Sequence, residues 1–257
     1  MQNIHFIDED GTFTLTRPEN YSYLYFPIAG EQGIKSALTP NLGGDMKINQ
    51  NAFLMEPVSA ENLHNNRSGR NFWCGMQDGG IWSVVGASAE QESRKFTKEQ
   101  DESMLTAGLM WHTVKRKCRE CQLEAEVTSF VPLEHSVELM RVTLCNTGSV
   151  PRTFTPVAAV PIFGRSADNI RDHRHVTSLL HRIRTTDFGV SVKPALSFDE
   201  RGHQKNELIY FVCGVTGNGE KPVGFYPVTE DFIGEGGSFV HPRAVIEQKE
   251  GKVSGFE

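Results

Sequence analysis

Short apolar runs broken by turn residues dominate the chain. In residues 123–130, Leu123, Ala125, Val127 and Ser129 alternate with Glu124, Glu126 and Thr128. A period of two with charge on one side is the pattern of a strand with one wet face. Leu105 to Lys117 forms another long β-prone run, and Cys118-Arg119-Glu120-Cys121 lies between the two as a predicted hairpin tip. Asn71-Phe72-Trp73-Cys74 and Ile81-Trp82-Ser83-Val84-Val85 flank Asp78-Gly79-Gly80 and predict a hairpin with aromatic strands. Val137 to Leu144, Asn146-Thr147-Gly148-Ser149 and Phe154 to Phe163 read as strand, turn, strand. Later apolar runs are Ser191-Val192, Leu208 to Cys213 and Val223 to Tyr226.

Turn signals recur roughly every 8–15 residues, the spacing of an antiparallel sandwich or barrel. The predicted class is all-β. Two segments carry a competing helical pattern. Ser59 to His64 has the composition of a short helical turn. Val176, Leu179, Leu180 and Ile183 have helical spacing, but Thr177, Thr185, Thr186 and the turn at Asp187-Phe188-Gly189 favour a strand. No internal repeat or linker divides the sequence, so residues 1–257 are expected to form one domain.

Composition narrows the function classes. The 257 residues are 38% hydrophobic and 23% charged, a folded balance rather than a disordered one. The 24 glycines and 12 prolines agree with frequent turns. A net charge of -6 removes any global attraction to nucleic acid or anionic membrane. The first residues lack the basic and apolar regions of a signal peptide. Val157 to Phe163, the longest apolar stretch, is far shorter than the roughly 20 residues that span a bilayer. Five scattered cysteines in such a chain are expected to be reduced cytoplasmic thiols. A lone CxxC carries little metal or redox signal, because no second pair follows at zinc-site spacing.

Candidate chemistry concentrates in Gly164 to His175. Arg165, Asp168, Asn169, Arg171, Asp172 and His173 follow a strongly apolar strand, so they are expected on a loop at a sheet end. Asp, Asn, Arg and His supply the paired donors and acceptors that sugar hydroxyls need, and Arg also holds phosphate. The competing reading is a solvated loop tied down by its own Arg–Asp pairs. His173 and His175 share one strand face, but no third ligand stands at metal spacing, so no metal is expected. His181 is expected to pack or hydrogen-bond on the sheet. Pro57 to Trp73 places Asn and Arg residues before an aromatic pair, either a sugar platform or, as alternation favours, sheet core. Val228 to Ser238 is acidic and Gly-rich, and reads as site lining or as a long surface loop. The serine-elbow, zinc-protease and phosphate-loop templates are missing, and no pair among the many carboxylates, Asp199-Glu200 and Glu230-Asp231 included, is singled out.

Several of these segments together resemble one family. Phe6-Ile7-Asp8-Glu9-Asp10-Gly11-Thr12-Phe13, Pro27-Ile28-Ala29-Gly30 with Leu42-Gly43-Gly44-Asp45, Glu138 to Gly148, and Gly164 to Ser178 are similar to the N-terminal domain of cellobiose-phosphorylase-like proteins. These are the inverting glycoside phosphorylases of glycoside hydrolase family 94, formerly glycosyltransferase family 36. The resemblance implies a large antiparallel β super-sandwich of the mutarotase-like, carbohydrate-binding kind. It also implies a homodimer, an oligosaccharide substrate such as cellobiose, and inorganic phosphate as co-substrate, with no further cofactor. In the family an (α/α)6 barrel follows and carries the catalytic acid. No helical array follows residue 200 here, so the chain is expected to be the N-terminal part of a longer polypeptide, inactive alone. The alternative is a stand-alone carbohydrate-binding module.

Overall fold

The computed structural model describes residues 4–21, 24–58, 68–167, 181–199 and 201–252. In chain order the strands begin with β1 (Ile4–Phe6), β2 (Phe13–Thr16), β3 (Phe26–Ala29), β4 (Lys35–Leu38), β5 (Met46–Asn49) and β6 (Ala52–Met55). There follow β7 (Asn71–Met76), β8 (Ile81–Ser83), β9 (Glu102–Gly108), β10 (Trp111–Cys118), β11 (Leu123–Phe130) and β12 (Leu139–Asn146). The last are β13 (Phe154–Ala159), β14 (His181–Thr185), β15 (Gly189–Pro194), β16 (Leu196–Asp199), β17 (Gly202–Lys205) and β18 (Tyr210–Cys213). Among the described residues helix is confined to short segments, and the protein is all-β as its alternation predicts. None of the described helices is long and apolar enough to cross a membrane. The chain forms two compact units, Met1–Gly44 with Gly69–Ala159, and Asp45–Ser68 with Val160–Glu257.

The first unit is built on a six-stranded antiparallel sheet in the order β1-β2-β9-β10-β11-β12. On β11 the predicted alternation holds at every position: Leu123, Ala125, Val127 and Ser129 are buried and their neighbours are partly exposed. On the wetter face Lys115 pairs with Glu124 at 2.9 Å, and the Thr113 and Thr128 hydroxyls meet at 3.0 Å. Leu15, Phe26, Leu105, Ala107 and Val114 form one core cluster, with Phe13, Tyr21 and Leu24 packed around it. A second sheet, β13-β7-β8, buries Trp73 and Trp82. Its β7–β8 hairpin turns at Asp78-Gly79-Gly80 as expected, with Gly79 at φ 91.

The stretch over β9 and β10 differs from the sequence expectation. Leu105 to Lys117 is two strands rather than one, folded back at Leu109-Met110. No Asn-Gly or Asp-Gly pair marks the turn; Met110 itself takes the left-handed conformation (φ 61) and Leu109 stands in solvent. A Cβ at Gly108 would lie 2.6 Å from the Trp111 indole nitrogen, so a larger residue there would displace that ring. A short helix, Ala89–Ser93, was also not anticipated. Ser88 accepts the Gln91 N–H at 3.1 Å, and that Ser-x-x-Gln spacing is a legible capping signal.

Two buried arginines of this unit are answered by carboxylates. Arg70 donates from Nε and Nη2 to the two oxygens of Glu138 at 2.6 and 2.7 Å, and from Nη1 to the Gly44 carbonyl at 2.5 Å. The Ser36 hydroxyl also donates to Glu138. Arg116 donates to Glu19 at 3.2 Å, and Ser103 and Gln100 donate to the same carboxylate. Burial alone would raise the Glu19 pKa. Arg116, the residue's own backbone N–H and Ser103 outweigh it and hold the group below the ordinary range.

The second unit holds the β5–β6 hairpin, the sheet β14-β15-β18 and the β16–β17 hairpin. Of the strand expected over 173–184, residues 181–184 lie in β14 and 173–180 fall outside the described residues. The loop expected over Val228 to Ser238 contains a helix, Thr229–Ile233, which buries Phe232 between Tyr226 and Phe239. Val223 to Tyr226 contributes one isolated bridge, Phe225 with Lys252, instead of a strand.

Two outcomes follow. Glu138→Ala removes the carboxylate that accepts two hydrogen bonds from the buried Arg70, and should cost about 3–5 kcal/mol in urea unfolding; Arg70→Met with Glu138→Leu should recover most of it. His112, fully buried with its ring 5.3 Å from that of Phe26, has no hydrogen-bond partner on either nitrogen. Burial pushes its pKa down from 6.5 to about 4, so the unfolded chain binds the proton first as pH falls. Stability should decline from about pH 6.5 and lose about 3 kcal/mol by pH 4, and His112→Phe should remove that part of the slope.

Candidate functional site

The candidate segment, residues 164–175, begins in the second unit, where residues 163–167 are held along β6 and the residues just before it. Phe163 donates its N–H to the Leu54 carbonyl at 2.6 Å. Arg165 and Phe53 exchange both backbone hydrogen bonds, at 2.9 and 3.3 Å, and Ala167 donates to the Gln50 carbonyl at 3.0 Å. These bonds hold the backbone of Arg165 before the chain enters residues 168–180. Gly164 turns it there at φ 63, where a Cβ would sit 3.3 Å from the Tyr210 ring.

Arg165 is the one sequence-predicted site residue that can be placed. Its guanidinium carbon lies 5.2 Å from the centre of the Phe163 ring, a cation–π distance. Its Nε donates to Nε2 of His181 at 3.4 Å. That bond requires a neutral imidazole. Burial, then the charge of Arg165, lowers the His181 pKa to about 4 and keeps it neutral near pH 7. His181 therefore hydrogen-bonds from β14, as its sequence position suggested. The sequence offered no signal that it faces Arg165, sixteen residues earlier. A guanidinium so held is a planar, permanently charged fork, suited to sugar hydroxyls or to an oxyanion. Asp168, Asn169, Arg171, Asp172 and His173 lie outside the described residues, as does His175.

The tryptophans considered for a sugar platform are both buried. Trp73 is fully buried, and Trp82 is buried with its Nε1 donating to Asp101 at 3.1 Å. Both belong to the sheet interior, as alternation favoured, and Arg70 beside them serves Glu138 instead of a ligand rim. Residues 59–67 of the 57–73 stretch lie outside the described residues. A polar cavity of the first unit, lined by Glu19, Asn41, Gln91, Gln100, Asp101 and Arg116, measures about 10 Å³, room for one water and not a sugar. Among the described residues no three His, Cys, Asp or Glu side chains gather closely enough for a metal ion.

The expected free thiols need one correction. Cys118 and Cys121 form a disulfide across the β10–β11 tip, because the four-residue turn brings their Cα atoms to 5.6 Å. The hairpin tip itself is where the sequence placed it.

The family model described as glycosyl hydrolase 94, supersandwich domain, matches residues 46–256. The chain belongs to that family, and its fold is the family's super-sandwich. The match takes in Arg165, His181 and the whole 164–175 segment. No curated protein matches the chain.

The Arg165–His181 contact has a direct readout. The His181 ring should stay neutral, by NMR titration, until the pH falls well below 6.5 toward about 4. Arg165→Ala removes the positive neighbour and should raise that midpoint; an unmoved midpoint would show that the guanidinium does not act on the imidazole.

Proposed function

We propose that this chain is the carbohydrate-binding and dimer-forming N-terminal part of a glycoside phosphorylase acting on β-glucosides such as cellobiose or cello-oligosaccharides. The family match over residues 46–256 carries the reading, with the anchored Arg165 inside it. In the reaction proposed, a phosphate oxygen attacks the anomeric carbon as the glycosidic C–O bond breaks, and the anomeric centre inverts. The leaving oxygen takes its proton from a carboxylic acid, and the products are a sugar 1-phosphate and the shortened sugar. One acid suffices because phosphate is itself the nucleophile. That acid belongs to the downstream (α/α)6 barrel in this reading.

Arg165 contributes a positioned cation just before residues 168–175, stacked on Phe163 and set against a neutral histidine. Asp168, Asn169, Arg171, Asp172 and His173 supply the further donors and acceptors for sugar hydroxyls. Burial separates this arginine from the two of the first unit. Arg70 and Arg116 are nearly inaccessible, whereas Arg165 is only partly buried.

Given α-glucose 1-phosphate and glucose, the 257-residue chain alone should release no phosphate. Turnover would overturn the assignment of the acid to another domain. Calorimetric titration with cellobiose or longer cello-oligosaccharides should show binding, weakened about tenfold in Arg165→Ala and in Asp172→Ala with urea midpoints unchanged. Equal affinity in both variants would remove the loop from the binding site.

A further inference from the structure

We propose that Cys118 and Cys121 form a reversible redox clasp that controls the order of the neighbouring turn at residues 147–152. Of the five cysteines, Cys74 is buried and its thiol is pushed up to about 12, which leaves it inert. Cys145 and Cys213 are exposed and unpaired. The Cys118–Cys121 bond closes a ring of four residues at a hairpin tip. Arg119 and Glu120, between the two sulfurs, have side chains 75% and 74% exposed, so a small dithiol can approach. A ring this short adds little loop-closure entropy to global stability, which suits a switch better than a staple.

The ring fixes more than itself. Gln122 directly follows it and holds the left-handed conformation at φ 54, unfavourable for a residue with a Cβ. From that conformation its carbonyl accepts the Thr147 N–H at 2.9 Å, and its Oε1 accepts from Arg152. Gly148 packs so closely that a Cβ there would lie 2.5 Å from the Gln122 Oε1. Opening the ring frees residues 119–122 and lets Gln122 leave the left-handed region, which releases both contacts. The exposed pairs Arg94–Glu120 and Arg119–Glu102 oppose that opening only weakly.

The step is ordinary thiol–disulfide exchange. A dithiol reductant attacks the more accessible Cys121 sulfur as a thiolate, and the Cys118–Cys121 bond breaks with its electron pair on Cys118 sulfur, which takes a proton. The second thiolate of the reductant then displaces Cys121 as a thiol and leaves as a cyclic disulfide. Two electrons pass to the protein and the reductant is oxidised.

The test uses the 257-residue chain carrying Cys145→Ser and Cys213→Ser. After oxidised glutathione, intact mass should be 2 Da lower than after dithiothreitol. Maleimide should label Cys118 and Cys121 only in the reduced, still folded protein. Hydrogen exchange at the Thr147 amide should speed severalfold on reduction and return on reoxidation. Cys118→Ser with Cys121→Ser should exchange fast under both conditions, with its near-ultraviolet circular dichroism confirming a folded chain. Failure to form the bond, reduction only on unfolding, or Thr147 exchange that ignores the redox state would each overturn the proposal.

Discussion

A buried positive charge must be matched, and the first unit contains two of them. Arg70 reaches Glu138 across 68 residues of sequence, and Arg116 reaches Glu19 across 97. Each pair is enclosed by further hydrogen bonds, from Ser36 and to Gly44 in one case, from Ser103 and Gln100 in the other. The cost of leaving either partner alone is large, so these pairs restrict which segments can come together beneath the sheet. His112 lies close enough to feel the charges of Arg70 and Glu138 and stays neutral. Apolar packing makes the interior stable, and the paired charges make its arrangement specific.

Arginine in the second unit plays a different part. Arg165 is fixed through its backbone to Phe53, stacked on Phe163, and set against an uncharged His181. The imidazole accepts from the guanidinium, so it must be neutral, and it helps to orient the arginine. Arginine thus closes buried ion pairs in one unit and stands only partly buried at the start of the candidate segment in the other.

Much of the fold was legible in the sequence. The alternation over 123–130 needed only the two-residue period, since one face of β11 is dry along its full length. The Asp78-Gly79-Gly80 tip was legible because its residues favour tight turns, and the Cys118–Cys121 tip because two β-prone runs flank it. The Leu109-Met110 turn was not, because both residues are apolar and the left-handed Met110 is imposed by the strands it joins. The helix at Thr229–Ile233 was hidden in a glycine-rich stretch for a similar reason: Phe232 finds its aromatic neighbours only after folding. For the site, residue chemistry pointed to Arg165 and its loop, while the role of His181 beside it needed three dimensions.

Local pattern by itself determined the all-β class, most strand positions and the segment richest in sugar-compatible side chains. These follow from interactions between residues a few positions apart, and the order of the chain displays them directly. Tertiary structure alone decided that Arg70 is an interior cation rather than a ligand contact and that Cys118 and Cys121 are bonded. Those outcomes depend on which distant groups share a low-dielectric space or a bond length, and linear spacing does not encode that proximity.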